Sequence, residues 1–196
     1  MITTLAVFCS LALAQTSTSG LVCPVMPDHA VPAEAKAVEY RGIRVQFCCA
    51  GCEPKFAANP EKYISEAAAA NKVVGQFLFD VTTGELLNMR RATFHHNYKG
   101  VRYSFSNQEN FNKFKANPGQ FVDNTPKKEA LFCPVMKEAV ASYGSASHFV
   151  DHNGVRYYMC CAGCVAPFRA NPGNFIRNAA SYVKEPKVIQ PAPAQH

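Results

Sequence analysis

The residues best equipped for chemistry are cysteines, nine in a chain of 196. Eight of them form two matching sets: Cys23 with Cys48, Cys49 and Cys52, and Cys133 with Cys160, Cys161 and Cys164. Each set opens on Cys-Pro-Val-Met and continues with Cys-Cys-Ala-Gly-Cys, so that Met26 and Met136 stand in the fourth place of the opening knuckle. Cys48 and Cys52 make a Cys-x3-Cys pair, and Cys49 and Cys52 a Cys-x2-Cys pair. Either can place two thiolates on one ion once the knuckle brings Cys23 close. Gly51 and Gly163, just before the last cysteine, are expected to let the backbone turn its amides toward thiolate sulfur. Met is neutral, soft and a poor zinc ligand, whereas thiolate and thioether together suit Cu(I). The expected cofactor is therefore a soft metal ion, Cu(I) ahead of Zn, with Met26 and Met136 either as ligands or as packing residues.

The same cysteines have competing uses. An even count of eight in an exported chain is what a disulfide framework shows. Against it, Cys48-Cys49 and Cys160-Cys161 are adjacent, and a disulfide between neighbours is strained, so pairing would have to run from cluster to knuckle. A redox use of Cys-x2-Cys normally sits on a thioredoxin-type strand-to-helix junction, which the pattern lacks. His95 and His96 fall on one expected strand and point to opposite faces, so they cannot share an ion. No paired carboxylates, no Ser/His/Asp order and no glycine-rich phosphate loop are present, and no enzyme is expected. The charge of +6 is scattered, with only short pairs such as Arg90-Arg91 and Lys127-Lys128, which argues against nucleic acid as a partner.

The elements that must position these cysteines come in three copies. "LVCPVM" at 21–26 returns as "LFCPVM" at 131–136, and "FCCAGCEPKFAANPEKYI" at 47–64 returns as "MCCAGCVAPFRANPGNFI" at 159–176. Between them, "YKGVRYSFSNQENFNKFKANPGQFV" at 98–122 keeps the framework without a cysteine: Ser106, Asn107 and Asn110 replace Cys48, Cys49 and Cys52, and Asp80 and Thr83 hold the knuckle. Units over 21–65, 78–122 and 131–177 follow, with linkers near 65–77 and 123–130. In each, turns at Arg41-Gly42, Lys99-Gly100 and Asn153-Gly154 predict a β-hairpin. Phe56, Phe114 and Phe168 then lie on a short helix. Asn59-Pro60, Asn117-Pro118 and Asn171-Pro172 end that helix and start another, whose Tyr63, Phe121 and Phe175 fold back on the first aromatic. Units this small bury little surface and need a staple or a neighbour. The middle copy has lost its thiols, so it must lean on its neighbours as a metal-free spacer.

At 48% hydrophobic and 17% charged, the chain belongs with folded proteins. Residues 1–14 read as a secretory signal peptide: a short apolar run from Leu5, ending in Ala12-Leu13-Ala14, which would discard Cys9. The destination is periplasmic or secreted, and no later segment is long enough for stable membrane insertion. The Pro-rich stretch 184–196 is expected to be a disordered tail.

The segments "CPVM", "YRGIRVQFCCAGC", "HNGVRYYMCCAGC", "FAANPEKYI" and "FRANPGNFI" resemble the YHS and TRASH-type metal-binding domains, across about residues 21–177. The resemblance implies an α+β fold of three tandem, small treble-clef-like units. It implies metal ligands at Cys23, Cys48 and Cys52 and at Cys133, Cys160 and Cys164, with Cys49 and Cys161 as alternates. Met26 and Met136 depart from the family's usual cysteine at that knuckle position. The implied role is metal handling, trafficking or resistance, with a metal-delivery or efflux protein as partner. The rival expectation is a disulfide-stapled extracytoplasmic module that binds a protein.

Overall fold

The structure, a computed structural model, describes residues 20–32 and 34–192, so the expected signal peptide and Cys9 lie outside the described residues. It is a mixed α and β fold with several small sheets. The first hairpin joins β1 (Ala37–Tyr40) to β2 (Ile43–Gln46), with Val38 opposite Val45 and both buried. Arg41 and Gly42 connect the strands with φ of 53° and 77°, the positive pair that a two-residue turn of this hand requires. A side chain at Gly42 would also put a Cβ 2.9 Å from the Phe77 ring. Past the hairpin come helix α1 (Cys52–Ala58) and helix α2 (Pro60–Ala69). Asn59 caps α2 by accepting the Lys62 amide at 3.2 Å, as the Asn-Pro pair predicts.

The stretch expected to link the first two copies carries a strand instead. β3 (Gly75–Phe77) runs antiparallel to β2 and parallel to a later strand, because the alternating Phe77 and Phe79 are buried and draw the segment into the sheet. The second hairpin follows as β4 (Phe94–Tyr98) and β5 (Val101–Phe105), then α3 (Gln108–Ala116) and α4 (Pro118–Val122). One five-stranded sheet in the order β1-β2-β3-β5-β4 therefore spans two sequence copies.

The second expected linker behaves the same way. It holds β6 (Lys128–Ala130), which pairs in parallel with the third hairpin. Next come the short ladder β7 (Phe132–Cys133) and β8 (Glu138–Ala139), the hairpin β9 (His148–His152) and β10 (Val155–Met159), and helix α5 (Val165–Ala170). Here the second helix is replaced by two 3-10 segments, Pro172–Asn174 and Ile176–Tyr182, and Asn171 makes no side-chain cap. Phe56, Phe114 and Phe168 are fully buried, and Tyr63, Phe121 and Phe175 pack back on them at ring distances of 6.2, 5.9 and 6.4 Å.

The expected disordered tail is a further correction. Lys184 exchanges two backbone hydrogen bonds with Glu129 on β6, and Ile189 exchanges two with Glu39 on β1. Val188 and Ile189 bury side-chain surface against the core, which outweighs the flexibility their Pro-rich surroundings imply. Residues 193–196 lie outside the described residues.

The middle copy leans on the third. Its Phe79, Tyr103, Phe105 and Phe114, with Phe77 of β3, share one core cluster with Tyr143, Phe149 and Tyr158. At that border Tyr143 donates to buried Glu129, while Arg156 forks onto Asp151 at 2.8 Å twice and lies 3.9 Å over the Phe149 ring. Burial pushes the Glu129 carboxyl above its ordinary value of 4.5, against the Tyr143 hydroxyl and the nearby cations that pull it down. The folded state thus holds this proton more tightly than the unfolded chain does. Its stabilisation is complete below the ordinary glutamate pKa and is lost as pH rises through the raised folded value. Glu129→Gln, which cannot titrate, is expected to flatten that decline of Tm with pH above 4.5; an unchanged slope would reject the assignment.

Candidate metal centre

The first centre is assembled from three places. Cys23 sits on a knuckle closed by its amide donating to the His29 carbonyl at 3.1 Å and by the His29 amide donating to Met26 at 2.9 Å. Cys48 follows the buried Phe47 at the end of β2, and Cys52 opens α1. The three sulfurs lie within 4.8 Å of one another, with Cys48 and Cys52 at 3.8 Å. Two thiolates each about 2.3 Å from a tetrahedral ion stand roughly 3.8 Å apart, so the spacing fits a shared ion. Met26 brings its thioether within 3.8 Å of the Cys48 sulfur while remaining 37% exposed.

The third copy repeats the construction with different supports. Cys133 lies in β7, where the Lys137 amide closes the knuckle onto its carbonyl at 2.8 Å. Cys160 follows β10, and Cys164 ends the turn that leads into α5. These sulfurs also lie within 4.8 Å of one another. Met136, at 53% exposed, stands at the surface.

The structure separates the adjacent cysteines that the sequence leaves equivalent. Cys48 and Cys160 join the trios, whereas Cys49 and Cys161 stand exposed on the rim, within 3.3 Å of Cys52 and 3.1 Å of Cys164 respectively. All eight described cysteines are free thiols.

Within each trio the protons are unequally held. Burial opposes ionisation of Cys23, but the amides of Cys48, Met26 and Val25 outweigh it and hold the pKa below the usual thiol value. Cys133 is lowered in the same way, burial being overcome by the amides of Cys160 and Met136 and by neighbouring thiols. Burial pushes Cys52 and Cys164 well up, reinforced by thiols that hydrogen-bond to their neutral forms, and Cys160 rises to about 12 for the same reasons. In each cluster one thiol therefore ionises more easily than a free cysteine, and the others hold protons that a bound cation would displace.

The expected need for glycine before the last cysteine is corrected. Gly51 has φ −74° and ψ −10°, an ordinary helical conformation, and a Cβ there would meet nothing within 4 Å. The Gly51 and Cys52 amides face the Cys49 sulfur as the helix begins, with no left-handed residue needed.

The middle copy holds a feature that reading it as an emptied site missed. Asp80 occupies the place of Cys23 and is fully buried. One carboxylate oxygen accepts from the Ser106 amide and hydroxyl at 3.1 Å each and from the Asn110 side chain at 2.8 Å; the other accepts from the Thr82 amide at 3.0 Å and hydroxyl at 2.6 Å. Ser106 and Asn110 are the counterparts of Cys48 and Cys52. A carboxylate with hydroxyl and amide donors ties together the three positions that carry thiols elsewhere. The signal was in the substitutions, which change three positions together from sulfur to one acceptor and two donors. Histidine plays no part in either trio. His95 and His96 do face opposite sides of β4, His96 toward Phe114.

Among the described residues, two three-sulfur clusters could hold a metal ion. Comparison with protein-family models, curated proteins and solved structures returns no match, so the geometry of these clusters carries the functional argument.

Proposed function

We propose that this protein is a non-enzymatic soft-metal binder of the YHS/TRASH type, with tandem treble-clef-like units and one ion each in the first and third copies. The observation that carries the reading is the same trio of sulfurs built twice on separate supports. Thiolate donors disfavour hard cations and suit soft and borderline ions, among them Cu(I) and Zn. The Met26 thioether beside Cys48 favours Cu(I) at the first site. The short apolar run at the N-terminus supports export to a periplasmic or secreted destination, where metal handling, trafficking or resistance would need a delivery or efflux partner. Among the described residues no helix is long and apolar enough to cross a membrane.

The test is competitive titration of the reduced chain with Cu(I) and with Zn(II). Two Cu(I) per chain are expected, one for each trio. Met26→Leu is expected to weaken Cu(I) at the first site by roughly tenfold and leave zinc nearly unchanged, since a thioether adds little for zinc. Equal retention of both metals would reduce Met26 to packing and remove the preference for copper. Uptake of neither metal would reject the function.

A further inference from the structure

Cys52 and Cys164 each belong to two sulfur arrangements. Inward, they complete the trios; outward, each lies beside a rim cysteine, Cys49 at 3.3 Å and Cys161 at 3.1 Å. The outward contact in the first copy is shorter than the 3.8 Å between Cys48 and Cys52. One backbone turn holds each pair, with the Cys52 amide donating to Cys49 and the Cys164 amide donating to Cys161, both at 3.2 Å. The rim member is exposed and its partner buried. Thiol–disulfide exchange calls for that division: an accessible thiol that attacks and a shielded one that resolves. The middle copy loses both members together, as Asn107 and Asn110.

We propose that Cys49–Cys52 and Cys161–Cys164 are reversible dithiol–disulfide pairs whose closure removes one sulfur from each trio and releases the metal. The oxidant is a low-molecular-weight disulfide. The Cys49 thiolate attacks one of its sulfurs and expels the first small thiolate, leaving a mixed disulfide on Cys49. The Cys52 thiolate then attacks the Cys49 sulfur and expels the second. The two protein thiols lose two protons and two electrons, and the oxidant becomes two small thiols. Cys52 cannot ligate and be disulfide-bonded at once, so bound metal must protect the pair from oxidation by mass action. The release step rests on the metal-binding reading; formation of the pairs does not.

The test treats the reduced, metal-free full chain with oxidised glutathione and maps crosslinks by fragment-ion mass spectrometry. Cys49–Cys52 and Cys161–Cys164 crosslinks are expected, each about 2 Da lighter than the dithiol and reversed by dithiothreitol. Cu(I) capacity should fall from two ions per chain to none. Under the same oxidant Cys49→Ser should keep the first site and lose the second. Crosslinks to Cys23 or Cys48 instead, or full Cu(I) capacity with both crosslinks formed, would overturn the proposal. A chain that forms both crosslinks but never took up metal overturns the release step together with the metal reading. A chain that binds two ions yet resists crosslinking overturns the pairs and leaves the metal reading standing.

Discussion

Serine in place of Cys52 is expected to cut the bound soft metal from two ions per chain to one. Cys52 supplies a sulfur 3.8 Å from Cys48, and a serine oxygen there is a hard donor that Cu(I) does not favour. Cys164→Ser should empty the other site, while Cys49→Ser, on the rim, should leave both filled. The two trios lie in different core clusters, so each should fail without the other. Loss of both ions from either single change would instead mean a shared cluster. The middle copy keeps the same hairpin and helix with no thiol, but there the Asp80 network ties the three positions, so the fold of each variant is checked alongside its metal content. Unchanged far-UV circular dichroism would separate loss of ligand from loss of fold.

The largest expected effect on stability comes from a residue outside both centres. Asp80→Ala should destabilise the chain by about 2–3 kcal/mol, because a buried carboxylate disappears and the buried Asn110 side chain loses its acceptor, while half-buried Thr82 and exposed Ser106 can turn to water. For a chain of this size that lowers Tm by about 4–12 °C. Asp80→Asn, which keeps one acceptor oxygen but adds an amide facing donors, should fall between the two. Urea unfolding followed by circular dichroism gives the comparison. A loss below about 1 kcal/mol would show that the network is satisfied by water and does not substitute for the metal.

Much of the architecture was legible in local chemistry. Gly42, Gly100 and Gly154 mark the three hairpin turns, and Asn59 and Asn117 mark helix starts, because turn geometry and capping depend on only a few neighbouring residues. The trios were legible because one spacing occurs twice. What sequence could not decide were pairings made at a distance. Gly75 through Phe77 looks like a linker until β2 and β5 flank it on both sides. The choice between Cys48 and Cys49 likewise needed the third dimension, because consecutive residues leaving a strand point in different directions and only one faces the knuckle. Glu129, Tyr143 and Arg156 were silent in the sequence for the same reason: their significance lies in burial at a border between copies.

The docked C-terminal stretch sets a timetable. Glu39 on the outer edge of β1 meets its partner Ile189 only after nearly all of the chain has been made. At ordinary rates of synthesis that edge stays unpaired for on the order of ten seconds. An open strand edge is a template for pairing with other chains, so the nascent protein passes through a period in which it is prone to self-association. A chain cut before Lys184 would never leave that period. Truncation should therefore lower soluble yield in cells even though every cysteine is present.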